Sequence, residues 1–163
     1  MLTTNSMAVS KKKRNPWIWV CFFVYLIVLF YMLFFAEAFG RTGHVEEYRY
    51  NITLFQEITR FCRYGKSHSW DLFLLNVVGN VVVFIPFGMF LPHLFTRCRN
   101  LFLTMLISLE FSLAIEITQL ISRVGRFDVD DLLLNTIGGS VGCLLFFIGS
   151  WMKKADRARK GRK

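Results

Sequence analysis

PWIWVCFFVYLIVLFYMLFFA, residues 16–36, runs for twenty-one positions without a charged side chain. A helix of about 20 apolar residues crosses the hydrocarbon core of a bilayer, so this stretch predicts a transmembrane helix over about 16–38. The polar segment before it, residues 1–15, ends in Lys11-Lys12-Lys13-Arg14 and reads as a basic tail. Together with Ala36-Glu37-Ala38 the arrangement imitates a secretory signal and its cleavage site. The apolar run exceeds the roughly 7–15 residues of a signal core, so we expect it to be retained as a membrane anchor.

The rest of the chain is read in the same solvent. Of its 163 residues 54% are hydrophobic, 18 are phenylalanine and the mean hydropathy is +0.42, which excludes an ordinary soluble fold. A net charge of +9 would fit a nucleic-acid partner if the basic residues lay along one face among aromatics. They sit instead at the ends of apolar runs, where they act as topology signals, and no nucleic-acid partner is expected. Cys21, Cys62, Cys98 and Cys143 show no CxxC spacing, and His44, His68 and His93 are scattered through loops and segment ends. Neither a disulfide, a metal site nor a cofactor is predicted.

Three further apolar segments follow, at about 72–95, 101–121 and 130–151, and a basic tail over 153–163 finishes the chain. The second carries Pro86, expected to kink it, and Gly88; the fourth carries Gly138, Gly139 and Gly142, small surfaces for close helix packing. Residues 40–72 form the one long connection. Within it Leu54, Phe55, Ile58, Phe61 and Cys62 recur at helical spacing, and Thr53 with Gln56 fits a capping box. The expected fold class is therefore an all-α membrane protein, a four-transmembrane-helix bundle with a short extracytoplasmic amphipathic helix between the first and second membrane helices. Residues 16–152 make one membrane domain between two basic tails.

Four crossings put both termini on one side. The two tails and the 96–100 turn hold 13 basic residues and the opposite loops 7, so the positive-inside rule predicts cytoplasmic termini in a multi-pass protein of the plasma membrane. The 40–72 connection and the loop at Arg123–Asp128 then face outward.

With that topology the polar residues inside the membrane can be placed by depth. Glu116, Asn135 and Asn80 each lie seven residues inside their helix, about 10 Å below the outer boundary, and Gln119, Asp131 and Asn76 about 5 Å below it. Asn76 with Asn80 and Asp131 with Asn135 are i,i+4 pairs; Glu116, Gln119 and Arg123 follow i, i+3, i+7. Three polar stripes turned toward one another would make an outward-open pocket. A purely structural account stands beside this one. Asp128 can cap the fourth helix with Asp130 and Asp131 in its first turn, and the asparagines can serve as interhelical hydrogen-bond glue. Glu116 is the residue most at odds with its surroundings, since an ionisable group at that depth is a functional candidate by default. Glu110, about 120° around the same helix and nearer the bilayer centre, is not expected in the pocket. Arg123 and Arg126, beside three aspartates at the rim, either pair internally or meet an anionic headgroup or diphosphate.

NVVGNVVVFIPFGMFLP at 76–92 and EITQLISRVGRFDVDDLLLNTIGGSVG at 116–142 resemble the VanZ-like family of bacterial membrane proteins. The family pattern N-x3-N-x3-F-x-P-x-G matches Asn76, Asn80, Phe84, Pro86 and Gly88. Its second pattern matches Glu116, Gln119, Arg126, Asp131, Asn135 and Gly138, with both Asp128 and Asp130 available between. The resemblance covers about residues 45–152. It departs at Asn51-Ile52-Thr53-Leu54-Phe55, where a proline would be expected. The resemblance implies an association with low-level resistance to teicoplanin-type glycopeptides but no reaction that can be carried over residue by residue. Two functions follow as expectations. One is a membrane module whose pocket, built from Asn76, Asn80, Glu116, Gln119, Arg126, Asp131 and Asn135, binds a lipid headgroup, a lipid-linked wall precursor or a lipoglycopeptide antibiotic. The other is an intramembrane enzyme acting on such a lipid with Glu116 as acid or base. Pro86, Gly88, Asp128, Asp130, Gly138 and Gly142 are expected to be structural.

Overall fold

The computed structural model describes residues 15–35, 50–56, 59, 70–124 and 127–161. Four helices carry the architecture: α1 (Pro16–Phe35), α2 (Trp70–Leu94), α3 (Leu101–Ser122) and α4 (Val129–Lys160). Among the described residues these four are long and apolar enough to cross a membrane. The fold is accordingly an all-α bundle. α1, α3 and α4 begin where the sequence supplies a cap. Asn15 accepts the Trp17 N–H at 3.1 Å with Pro16 at the first helical position, and Asn100 accepts from Phe102 and Leu103. α3 ends at Arg123, which takes the left-handed conformation (φ 55°) and returns its N–H to Gln119 and Leu120.

Two features differ from the sequence expectation in extent. α4 does not stop at the membrane boundary but continues for 32 residues, about 48 Å, so that the basic residues from Lys153 to Lys160 lie on a helix. Lys160 and Asp156 pair across one turn of it at 3.2 Å. There is also a short parallel ladder of two strands, β1 (Tyr50–Asn51) and β2 (Phe127–Asp128), pairing Tyr50 with Phe127 and Asn51 with Asp128. Of the predicted amphipathic helix, residues 54–56 and Thr59 are described. The chain turns helical at Gln56, and the Thr59 N–H reaches the Phe55 carbonyl at 2.9 Å. The remainder of that stretch, including Ile58, Phe61 and Cys62, lies outside the described residues.

α4 packs most extensively on α2 and next on α3. The glycines explain the closeness. A methyl group on Gly138 or Gly142 would run into the carbonyls of Val81 or Ile85, and one on Gly88 would run into Gly139. Gly139 itself lies against Ser108 of α3. Backbones therefore meet directly, which is how helices associate when lipid offers no hydrophobic drive between them. The buried hydroxyls beside this seam stay within their own helix or turn: Thr104 donates to the Cys98 carbonyl and Ser108 to the Thr104 carbonyl, both at 2.8 Å.

Aromatic side chains fill the other side, where α1 leans on α2 and α3. Phe87 and Phe111 stack at 4.6 Å with rings nearly parallel, and Phe22 and Phe84 pack against Phe87. α2 continues through both Pro86 and Pro92. A proline has no N–H, so Pro86 leaves the Val82 carbonyl without its helical donor; at the next residue Tyr25 of α1 donates its hydroxyl to the Val83 carbonyl at 2.9 Å. Cys21, Cys98 and Cys143 are free thiols. Burial, and to a lesser degree Cys143, pushes the Cys98 thiol above its ordinary range.

Replacing Gly142 by Leu should lower the thermal stability of the detergent-solubilised protein by about 1–3 kcal/mol, because the added side chain has only backbone to displace. Gly149, where an added Cβ would meet nothing within 4 Å, is the control. Gly149→Ala should leave the melting temperature unchanged or slightly higher.

Candidate functional site

The polar residues gather at the end of the bundle where α1 and α3 finish and α2 and α4 start. Glu116 lies on α3 six residues before its last residue and is 2% exposed. Its Oε2 accepts the backbone N–H of Asp128 at 2.9 Å. Asp128 closes β2 and caps α4: its Oδ1 accepts the Asp130 N–H and the Asn51 Nδ2–H, each at 3.0 Å. Asn51 turns its own Oδ1 to the Thr53 N–H at 3.1 Å. Asp130 Oδ1 accepts the Phe55 N–H at 2.5 Å, and Phe55 there stands in the left-handed region (φ 62°). A single chain of bonds thus runs from the interior of α3 through the start of α4 to the incoming 50–55 segment.

The remaining candidates cross-link helices pairwise. Gln119 donates its Nε2–H to the Leu33 carbonyl at 2.9 Å. Leu33 is in the last turn of α1, where carbonyls lack an intrahelical donor, so this bond satisfies a group the helix leaves open. Asn80 of α2 donates to Asp131 of α4 at 2.5 Å. Asn135 of α4, 2% exposed, donates to Ser112 of α3 at 2.8 Å, while its Oδ1 is buried with no hydrogen-bond partner in the structure. Arg126 lies outside the described residues.

This geometry departs from two matching layers around an open pocket. Asn80 pairs with Asp131, one turn off in expected depth; Asn135 turns to Ser112 rather than to Glu116; and Gln119 points at α1, not at α2 or α4. Every orphan group in the low-dielectric interior needs a donor or acceptor close by, and the nearest ones belong to neighbouring helix ends and hydroxyls rather than to a common centre. Sequence reading also missed two participants. Asn51 was visible only as the first residue of Asn51-Ile52-Thr53-Leu54-Phe55, the stretch that departs from the family pattern, and its pairing with Asp128 spans 77 positions. Ser112 gave a usable signal, standing one turn before Glu116 on the same helix face.

Space for a ligand lies to one side of this network. A small, partly open cleft, with a cavity volume of about 30 Å³, is lined by Phe55, Asn76, Val77, Asp130, Asp131, Leu133 and Leu134. Its walls are aliphatic and aromatic; its polar groups are one exposed amide and two aspartates at the start of α4. Glu116 does not line it. Among the described residues, no group of three His, Cys, Asp or Glu side chains is arranged to hold a metal ion.

Four helices of membrane-spanning length, cross-linked by buried polar side chains near one end, define a multi-pass α-helical membrane protein. Residues 22–150 match the family described as VanZ/LLP1, and the chain belongs to that family. It is similar to Protein VanZ of Enterococcus faecium, with 28% identity over 139 residues that cover 82% of this chain and 78% of that protein. No solved structure matches the chain.

If Glu116 holds the Asp128 amide, Glu116→Ala leaves a buried N–H unsatisfied and should cost about 1–3 kcal/mol in an unfolding measurement. Glu116→Gln, which keeps an acceptor oxygen, should cost less. A double-mutant cycle of Asn51→Ala with Asp128→Ala should show a coupling of about 0.5–3 kcal/mol. Asn51→Ala with Gly149→Ala should be additive.

Proposed function

We propose that the cleft between Phe55, α2 and α4 faces the outer leaflet and binds an amphiphile there, a lipid headgroup, lipid-linked envelope precursor or amphiphilic antibiotic, and that this binding contributes to teicoplanin-type glycopeptide resistance. One observation carries the reading. Aliphatic walls from Val77, Leu133 and Leu134 meet Asn76, Asp130 and Asp131 at the end of the bundle, so an apolar chain and a hydrogen-bonding head could be held at the same place. The orientation rests on the excess of basic residues in the tails and the 96–100 turn. The similarity to Protein VanZ and the family's association with glycopeptide resistance support the choice of ligand class.

The enzyme alternative, with Glu116 as acid or base, has less behind it. Glu116 is 2% exposed, already holds the Asp128 amide and lies outside the cleft lining. Glu116 instead anchors the start of α4 through the Asp128 amide.

Binding of an acyl-tailed glycopeptide to the protein in lipid nanodiscs tests the proposal against the same glycopeptide without its tail. Leu133→Trp, which fills the cleft, should weaken binding of the tailed compound about tenfold or more with thermal stability retained, and should abolish any resistance the chain confers on cells. Equal binding by the filled and open forms would count against the cleft. Altered membrane lipids that depend on Glu116 would favour the enzyme instead.

A further inference from the structure

Glu110 is the one ionisable group in the middle of α3, nine residues from Leu101 and twelve from Ser122, or about 13 Å and 18 Å from the helix ends. The buried side chains of α3 are Thr104, Ser108, Ser112, Ile115, Glu116 and Gln119, which share one face. At 100° per residue Glu110 points about 180° away from them. It is exposed, and its neighbours on that face, Leu113 and Ile117, are exposed too. Among the described residues nothing bonds it. A carboxyl at that depth facing hydrocarbon is costly, and lipid tails offer neither donor nor acceptor.

We propose that this face of α3 is the interface of a homodimer in which two copies, side by side in the bilayer, bring Glu110 against the partner subunit's Glu110. Whatever covers the face must present a hydrogen-bonding group at Glu110's own depth. A second copy does so automatically, because copies inserted with the same topology and related by a two-fold axis along the membrane normal hold every residue at equal depth. A pair of neutral carboxyls exchanges two O–H···O bonds, which satisfies both without burying a charge. The flanking residues suit the contact. Leu106, Glu110, Leu113 and Ile117 are spaced four, three and four apart, the 3.5-residue period of a left-handed helix pair, with one polar position in an otherwise apolar seam to set register and copy number. Ala114, one turn from Glu110, is small enough for close approach.

The test counts photobleaching steps of the singly labelled full-length protein in vesicles over a range of protein-to-lipid ratios. Wild type should give two steps that grow with surface density. Glu110→Leu should weaken dimerisation about tenfold, and Ile117→Trp should weaken it also, both with unchanged helicity and melting of the monomer. Glu110→Gln should retain the dimer, since a side-chain amide pairs with its own copy. Ile148→Trp, on the exposed side of α4, should leave it intact. Single steps for wild type at every density, dimers of Glu110→Leu equal to wild type, or capture by Glu110 of a different membrane protein bearing a basic side chain would each overturn the proposal.

Discussion

The bond from the Asp128 amide to the Glu116 carboxylate is the constraint on which one end of the molecule depends. It fixes where α4 begins relative to α3, although the two helices are joined by a short loop that could sit at several angles. With the start of α4 fixed, Asp128 can cap it and receive Asn51, and Asp130 can hold Phe55. A buried carboxylate is expensive in hydrocarbon unless its oxygens are bonded, and a backbone N–H at a helix start is a donor in need of an acceptor. Each group removes the other's cost.

The same reasoning connects the packing to the cleft. Glycines on α2 and α4 let those backbones touch along the middle of the bundle. At the end where the 50–55 segment arrives, the contact gives way to Asn80 bonded to Asp131, and beside it Val77 and Leu133 stand apart enough to leave the cleft. A rigid seam below and a bonded cap above define a space that neither helix would make by itself. The proposed binding place lies where close packing stops.

Much of this was legible in the sequence. Apolar runs of membrane length gave the four helices, and the spacing of Asn76, Asn80, Glu116, Gln119, Asp131 and Asn135 marked the polar end and the family. The bonding partners were not legible. Gln119 meets a carbonyl of α1 and Asn135 meets Ser112, and a helical stripe specifies the direction of a side chain but not which neighbouring helix stands there. The parallel ladder was invisible for a different reason: two strands of two residues each carry no periodicity, and Asn51 and Asp128 are brought together by the helices rather than by local preference. The helical continuation of α4 through its basic end was hidden by composition, because Lys and Arg are good helix formers yet read as a tail once the apolar run ends.

Amide hydrogen exchange on the full-length protein in nanodiscs, comparing wild type with Glu116→Ala, tests the central bond most directly. The account predicts slow exchange at Asp128, Asp130 and Phe55 in wild type. In the variant all three should exchange faster together, by about tenfold or more, while the amides of α2 and of the middle of α4 stay protected. Faster exchange at Asp128 with Phe55 unaffected, or no change at any of the three, would contradict the claim that Glu116 anchors the whole assembly at that end.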